Sequence, residues 1–404
     1  MKRAVRYILL ILAVIAVVTA LVLWKKGDRE AAIQELQTRF SAEVSFSDDE
    51  FYVGCSSESL VDLREFVGLI QRIGDPSFID LTGAPNLESF AGFEGLLTVS
   101  SLIAIDCPKL ISAQGVAGHP GLIELVLTDS VNFADASAVR GMRALTTLDL
   151  SGCKALKEIV ISELPVLENL YLSRCRQVKR IDLMPCPGLK QLYLDGCSQL
   201  ESLEGLGGLG SLTDLDLSNA TALQILDGIG KLGQLIVLDI RNVDVSDFSE
   251  IGVLPSLRVL RMGGQDAIKT LEPLSELVGL KEIHLEACPN FQSLKGIPAT
   301  VSQYAGFTHC PKLTSLSGVE SSVGLEQLDL TGCQNLTDIT QVSQLESLVQ
   351  LSLVKCRQVR DITPVVDLEK LVIVMLGGSG VIPESIEALD PVNEDLIFDF
   401  AVGE

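Results

Sequence analysis

Cysteine is the residue type of this chain with the widest chemical capacity, because a thiol can close a disulfide, bind a metal ion or act as a nucleophile. The chain has 10 cysteines, and eight of them are separated by one or more steps of 22 or 23 residues. Those eight are Cys107, Cys153, Cys175, Cys197, Cys288, Cys310, Cys333 and Cys356. Their spacing predicts that they occupy one position in successive units of a repeating structure.

A column of thiols could form disulfides, bind metal or simply be buried. Side chains on neighbouring parallel strands lie roughly 4.8 Å apart and point the same way, whereas a disulfide needs convergent Cβ atoms about 3.8 Å apart. His309 beside Cys310 lacks the paired spacing of a zinc site, and His284 and Cys288 should face opposite sides of a sheet. We therefore expect buried, unreactive thiols, no metal and no other cofactor.

Asp216 and Asp239 form a second candidate for chemistry, because they hold equivalent positions 23 residues apart. Two carboxylates roughly 5 Å apart can carry out retaining glycoside hydrolysis. An open sheet, however, offers neither the cleft nor the burial that raises a carboxylic-acid pKa. We expect Arg241 and Arg261 to balance these two charges, and we predict that the chain is not an enzyme.

The residues above belong to a leucine-rich motif that recurs through most of the chain. One clear unit, from Leu145 to Leu156, reads L-x-x-L-x-L-x-x-C-x-x-L. Apolar residues then recur at every third place in several units, as from Leu336 to Leu348, and this period is typical of short 3₁₀ turns. The cysteine position falls successively at Ala84, Cys107, Ser130, Cys153, Cys175, Cys197, Ala220, Val243, Gln265, Cys288, Cys310, Cys333, Cys356 and Ser379.

This motif resembles the leucine-rich repeat family over roughly residues 78 to 400. The spacing and the run from Asp361 to Pro364 are similar to the 22-residue repeats of internalins, with Cys replacing their usual Asn. The resemblance implies an α/β repeat solenoid of about 14 units. It would be a horseshoe or arc with a parallel concave β-sheet, short 3₁₀ turns on the convex side and inward-pointing ladder cysteines.

Function in such a solenoid is expected on the outward residues of the concave strands. The middle of this face is polar and aromatic, and tyrosine and arginine are the residue types that most often anchor interfaces. We predict that it binds a protein. The alternatives are a glycan stacked on Tyr171, Tyr193 and Tyr304, or a passive scaffold. The candidate binding residues are Tyr171, Tyr193, Asp195, Asp214, Asp216, Asp239, Arg241, Arg261, His284, Glu286 and Tyr304.

Charge limits the kind of partner that this face can take. The chain has 31 Lys and Arg against 53 Asp and Glu, a net charge of −22. Nucleic acids need a cationic face, so we expect no nucleic-acid partner. An acidic surface steers basic partners, and we expect a basic or neutral protein.

The N-terminus predicts membrane attachment, because three basic residues among the first six precede an apolar run, Tyr7–Trp24, that is long enough to span a bilayer. We expect a cytoplasmic stub over residues 1–6, an uncleaved signal anchor over 7–24 and extracytoplasmic repeats, on the periplasmic or cell-surface side. The main alternative is a signal peptide cleaved after Ala20. Free thiols are uncommon in oxidising compartments, so a cytoplasmic orientation also stays open.

The repeats are predicted over residues 78–382 and need covers at both ends, because each unit buries its core only against its neighbours. Apolar stripes through Leu36 and Phe40 and through Val67 and Ile70 predict a helical N-terminal cap over residues 27–77. We expect a C-terminal cap over residues 383–404. The oligomeric state is not predicted.

Overall fold

The structure is a computed structural model that describes residues 2–47, 50–183, 185–389 and 396–401. The side chains of residues 2–17, 20 and 50 lie outside this description. The chain divides into two compact units, Met1–Ala155 and Leu156–Glu404, which are described separately below as unit 1 and unit 2.

Unit 1 begins with helices and continues with short strands. Its described helices are α1 (Lys2–Phe40) and α2 (Arg64–Ile73). Its strands are β1 (Glu43–Ser47), β2 (Glu50–Gly54), β3 (Phe78–Asp80), β4 (Ser101–Ile103), β5 (Glu124–Val126) and β6 (Thr147–Asp149). The strands from β2 to β6 pair in parallel, each with the next along the chain.

The N-terminal cap contains helices at both predicted apolar stripes, and an antiparallel hairpin of β1 and β2 lies between α1 and α2 in the chain. The hairpin forms because apolar side chains alternate along it: Phe51 and Val53 are buried, and the ring of Phe51 lies 5.5 Å from that of Phe46. Val53 of β2 pairs with Ile79 of β3, so the hairpin covers the first edge of the parallel strands. The apolar stripes in the sequence predicted the two helices but not this hairpin.

Among the described residues, no helix combines the length and the apolar character needed to cross a membrane. The predicted anchor at residues 7–24 falls mainly on residues 7–17 and 20, whose side chains are outside the description, as are those of the predicted stub at residues 1–6.

Unit 2 is built from short parallel strands separated by turns. The strands are β7 (Glu158–Val160), β8 (Asn169–Tyr171), β9 (Arg180–Asp182), β10 (Gln191–Tyr193), β11 (Asp214–Asp216), β12 (Val237–Arg241), β13 (Val259–Gly263), β14 (Glu282–Glu286), β15 (Tyr304–Thr308), β16 (Gln327–Asp329), β17 (Gln350–Ser352), β18 (Ile373–Met375) and β19 (Ile397–Asp399). The described helices are α3 (Ser249–Gly252) and α4 (Pro383–Glu387). Strands β8 and β10 to β19 form one sheet, and β7 pairs with β9 in a second.

The main sheet keeps the register of the repeat, because equivalent leucines pair directly across neighbouring strands. Leu192 pairs with Leu215, which in turn pairs with Leu238, and all three are at most 1% exposed. These buried central residues form the core, and the residues on either side of them in each strand face outward. The repeat predicted from the leucine spacing is confirmed.

Short 3₁₀ turns occur in the connections, as the three-residue apolar period predicts. Each places one or more apolar side chains in the core. The described turns are Phe93–Gly95, Ser137–Val139, Leu206–Gly208, Ile229–Lys231, Glu272–Leu274, Val319–Ser321, Thr340–Gln344 and Thr363–Val365. Where β7 and β9 pair, a second small sheet takes the place of these turns.

The cysteine position forms a column of hydrogen-bond donors within the core of each unit. All 10 cysteines are buried and none forms a disulfide. The thiol of Cys333 donates to the carbonyl of Phe307 at 2.8 Å, and that of Cys356 to Leu330 at 3.0 Å. Ser130 replaces cysteine and makes the equivalent bond to Ala104 at 3.0 Å. Ladder thiols can thus satisfy backbone carbonyls in the preceding repeat.

Burial makes these thiols weak acids, because the thiolate is poorly solvated in the core. It raises the pKa of Cys107 to about 11 and that of Cys288 to about 12. It also raises the pKa values of Cys310, Cys333 and Cys356 to about 12. A thiol with such a pKa is almost entirely protonated at neutral pH and is a poor nucleophile.

Candidate functional site

The outward side of the main sheet in unit 2, from β8 to β16, is called the sheet face here. The sheet face forms because side chains alternate sides along each strand. The central residue is buried, and the residues before and after it are mostly half-buried or exposed. The structure places the predicted binding residues on this face, in the strands or, for Asp195, two residues after one. They are Tyr171, Tyr193, Asp195, Asp214, Asp216, Asp239, Arg241, Arg261, His284, Glu286 and Tyr304.

Strand pairing brings several of these residues into one row. Tyr193 lies opposite Asp216, which lies opposite Asp239. Asp239 in turn lies opposite Arg261, and Arg261 lies opposite His284. Neighbouring members are separated by roughly one strand spacing of 4.8 Å, so each can influence the next.

Two tyrosines stack at the start of this row. The rings of Tyr171 and Tyr193 have centroids 5.2 Å apart and planes 18° apart. The hydroxyl of Tyr171 donates to Oε1 of Gln191 at 3.4 Å. Burial raises the pKa of Tyr193, and the nearby carboxylate of Asp214 adds to the increase. Because the rings stack on each other, each has at most one face left for another ligand.

Three carboxylates lie beside the tyrosines and have only neutral donors. Asp195 accepts a hydrogen bond from the Ser173 hydroxyl. Asp214 accepts one from Thr213 at 2.6 Å, and Oδ1 of Asp216 accepts one from the Ser218 backbone N–H at 2.8 Å. Within the described part of the chain, none of the three forms an ion pair with lysine or arginine.

The environment of Asp216 disfavours its charged form. Burial raises its pKa, and the negative charges of Asp239 and Asp195 raise it further, whereas the hydrogen bonds from Ser218 lower it. The pKa of Arg241 is raised mainly by its hydrogen bond to Asp239 and further by the charges of Asp239 and Asp216, so Arg241 balances part of the Asp216 charge, as expected from the sequence. Among the described residues, neither Arg241 nor Arg261 forms an ion pair with Asp216.

Asp239, in contrast, forms an ion pair with Arg241. Arg241, two residues later on the same strand, donates from Nε to Oδ1 at 3.0 Å and from Nη2 to Oδ2 at 2.6 Å. The Asp239 side chain is only 5% exposed, whereas that of Arg241 is 44% exposed. Asp239 is thus buried and engaged at both oxygens, which leaves it poorly suited to act with Asp216 on a glycosidic bond.

Arg261 is half-buried on the row between Asp239 and His284. Its side chain makes no hydrogen bond and no ion pair with any of the residues that the structure describes. Its guanidinium therefore retains five donors for water or a partner.

A second aromatic pair lies beyond Arg261. The rings of His284 and Tyr304 are 4.4 Å apart and stacked, and the Tyr304 hydroxyl donates to Oδ2 of Asp329 at 3.3 Å. Tyr304 lies over Gly306, where a Cβ atom would come within 2.6 Å of its hydroxyl. Burial lowers the pKa of His284, although Glu282, 3.2 Å from Nε2, acts to raise it. The imidazole is accordingly neutral at pH 7.

Many of the aspartates at the repeat position of Asp216 and Asp239 also stabilise a turn, a role that their spacing in the sequence did not indicate. Each accepts a hydrogen bond from the backbone N–H two residues later, as in Asp149 to Ser151 at 2.8 Å and Asp329 to Thr331 at 2.9 Å. Such Asx turns end the strand. Asp329 and Glu282 also lie at outward strand positions of the repeat, although they were not among the predicted binding residues.

Possible metal ligands do not cluster on this face. Within the described ranges, no group of three His, Cys, Asp or Glu side chains is arranged to hold a metal ion.

No protein-family model matches this chain, and no curated protein matches it in sequence. Solved structures do match it. The internalin InlF of Listeria monocytogenes is 17% identical, with a TM-score of 0.59 over 77% of this chain and 89% of that one. A leucine-rich repeat protein of Leptospira interrogans is 17% identical, with a TM-score of 0.50 over 84% of this chain and 99% of that one.

The structure of a TLR13–ssRNA13 complex also matches, with 16% identity and a TM-score of 0.60. The match covers 85% of this chain and 56% of that one, so this chain spans little more than half of its length. At these identities the similarity concerns the fold. Together with the parallel strands, the repeat register and the 3₁₀ turns, it shows that the chain has a leucine-rich repeat fold similar to that of internalin InlF.

Proposed function

We propose that this chain is a non-catalytic interaction protein that binds another protein through the sheet face of unit 2. The observation that carries the proposal is Arg261, a half-buried cation in the middle of the face that has no internal partner among the described residues. Arginine and tyrosine anchor interfaces because each combines a large contact area with hydrogen bonding. The stacked pair of Tyr171 and Tyr193 adds a rigid aromatic surface two strands before Asp239.

The charge of the face favours a basic or neutral partner. Among the described residues, Asp195, Asp214 and Asp216 form no ion pair with lysine or arginine, and Arg241 is hydrogen-bonded to Asp239. Acidic surfaces of this kind speed association with basic proteins and repel nucleic acids.

The tyrosine contacts favour a protein over a glycan. A sugar could stack on only one side of each ring and could not lie between two of them, because Tyr171 and Tyr193 cover one face of each other and His284 covers one face of Tyr304. An enzymatic role has less support, because the carboxylate pair that would be needed includes the buried, arginine-bound Asp239.

We also propose that residues 7–24 anchor the chain in a membrane with the repeats on the extracytoplasmic side. The support is the apolar run and the basic residues before it. The full chain should stay in the membrane pellet after a high-salt and alkaline wash, and protease added to right-side-out membrane vesicles, in which the extracytoplasmic side faces out, should cleave the repeats. Release by the wash would contradict the anchor, and protection from the protease would contradict the orientation.

The binding test uses the full chain in mild detergent as an affinity ligand for envelope extracts. A captured protein is identified, purified and measured directly by calorimetry. We expect Tyr193→Ser combined with Arg261→Gln to weaken binding at least about tenfold, because both changes remove anchors from the face. Arg357→Gln is the matched control, since Arg357 is an exposed turn residue outside the sheet face.

Circular dichroism checks that each variant keeps its fold. Unchanged affinity in the double variant would exclude the sheet face as the binding surface. Capture of a glycan in place of a protein, with the same dependence on Tyr193, would overturn the protein assignment.

A further inference from the structure

We propose that the partner inserts one arginine side chain beside Tyr193, where its guanidinium stacks on the tyrosine ring and pairs with Asp216. The site consists of Tyr171, Tyr193, Asp195, Asp214 and Asp216 and is called the Tyr–Asp site. This inference rests on the proposed function and specifies the chemistry by which the sheet face recognises its partner.

The first support is the direction of the tyrosine rings. Tyr171 and Tyr193 occupy paired positions on neighbouring strands and stack with their planes 18° apart. The rings therefore face along the row, and Tyr193 turns its second face toward the next strand. On that strand the residue opposite Tyr193 is Asp216. A cation above Asp216 would contact both the ring face and the carboxylate.

The second support is the contrast between two equivalent positions. Asp216 and Asp239 pair in register, and each accepts the backbone N–H two residues later. At Asp239 that later residue is Arg241, whose guanidinium binds both carboxylate oxygens. At Asp216 it is Ser218, which supplies no positive charge. A guanidinium from a partner would supply at Asp216 the pairing that Arg241 supplies one strand away.

The third support is the lack of an ion pair at three neighbouring carboxylates. Asp195, Asp214 and Asp216 receive hydrogen bonds from hydroxyl or backbone donors only, and no ion pair reaches them from the described residues. Like charges held close together on a half-buried surface repel one another, and a bound cation relieves that repulsion. A metal ion does not fit, because these side chains do not converge as a ligand set.

Arginine suits this site better than lysine. Its planar guanidinium can stack on a ring while it donates two parallel hydrogen bonds to a carboxylate, whereas an ammonium group cannot do both. Arg261 lies two strands beyond Asp216 but directly opposite Asp239, so an added cation meets less repulsion beside Asp216 than beside Asp239.

The test titrates the full chain with a hexa-arginine peptide and, separately, with hexa-lysine and hexa-citrulline peptides. Citrulline keeps the planar shape but carries no charge. We expect hexa-arginine to bind more tightly than hexa-lysine and hexa-citrulline not to bind detectably. Asp216→Asn and Tyr193→Leu should each weaken hexa-arginine binding about tenfold, because each removes one of the two contacts. Asp227→Asn, at an exposed turn position, is the matched control and should change nothing.

Equal binding of arginine and citrulline peptides, or equal losses in Asp216→Asn and Asp227→Asn, would overturn the inference. Its failure is distinguishable from that of the proposed function. A protein partner that is lost on Arg261→Gln but retained on Asp216→Asn would overturn the Tyr–Asp site and leave the protein-binding function standing. Specific hexa-arginine binding without any protein partner would support the site and contradict the proposed function.

Discussion

The guanidinium of Arg241 binds both carboxylate oxygens of Asp239, two residues earlier on the same strand, with distances of 3.0 Å to Oδ1 and 2.6 Å to Oδ2. The pair is asymmetric, because the aspartate side chain is 5% exposed and the arginine side chain is 44% exposed. Asp239 therefore depends on an arginine that remains accessible to solvent and to partners.

Arg241→Met should destabilise the fold, because it leaves the buried carboxylate of Asp239 without its cation. We expect a loss on the order of 2 kcal/mol, below the usual cost of breaking a buried pair because Arg241 is partly solvated. Urea unfolding followed by circular dichroism measures the change. Arg261→Met is the control and should shift stability by no more than about 0.5 kcal/mol. The second change in Arg241→Met/Asp239→Asn should restore stability, and no recovery would contradict this account.

Asp216→Asn should stabilise the protein at pH 7. The pKa of Asp216 is raised by folding, so the folded state binds its proton more readily than the unfolded state. Its stabilising contribution is complete below the unfolded pKa of about 3.9 and is lost as pH rises through the higher folded pKa. Asparagine retains an oxygen for the Ser218 N–H and carries no charge.

The measurement for Asp216 is the urea midpoint of both proteins across the pH range from 3 to 8. The urea midpoint of the variant should exceed that of the parent at pH values above the ordinary carboxyl pKa of about 3.9. This difference should become constant toward neutral pH. Asp227→Asn controls for the general loss of a negative charge. A variant that is less stable than the parent at pH 7 would show that the Asp216 charge is favourable in the free protein.

Gly306→Ala should disrupt the second aromatic pair. An added Cβ would lie 2.6 Å from the Tyr304 hydroxyl, so the ring must move away from Asp329 and from His284. We expect a loss of about 1 to 2 kcal/mol together with a change in the tyrosine near-ultraviolet circular dichroism. At Gly324 the nearest atom to an added Cβ is 3.6 Å away, which makes Gly324→Ala the control. Equal effects of both substitutions would argue against the steric cause.

The cysteines should be unreactive in the folded protein. At pH 8 we expect essentially none of the 10 thiols to react quickly with Ellman's reagent, and all of them to react in denaturant. The folded pKa values of Cys107 and Cys356, about 11 and 12, exceed the unfolded value of about 8.5. Their contribution to stability is therefore complete below that value and is lost as pH rises through 11 to 12.

Rapid labelling of several thiols under native conditions would show that the ladder opens locally. A urea midpoint that stays constant between pH 8 and pH 11 would contradict the alkaline part of the prediction, because ionisation of the thiols must favour the unfolded chain.

The sequence predicted which candidate residues lie on neighbouring strands of the sheet face, but not how their side chains pair. The repeat identifies Asp216 and Asp239 as neighbours and places Arg241 and Arg261 nearby. Which arginine binds which aspartate depends on side-chain conformations, and the structure pairs Arg241 with Asp239 alone. Likewise, only the lack of a side chain at Gly306 lets Tyr304 lie across its strand and stack on His284.

The sequence by itself determined the repeat, its register and the burial of its leucines and cysteines. It could do so because each repeat contacts mainly its neighbours, so one local pattern specifies strand, turn and core together. Three features were visible only in the tertiary structure. They are the hairpin that contains Val53, the small sheet of β7 and β9, and the different partners of Asp216 and Asp239. These features depend on contacts between side chains and strands whose choice of partner the repeat pattern leaves open.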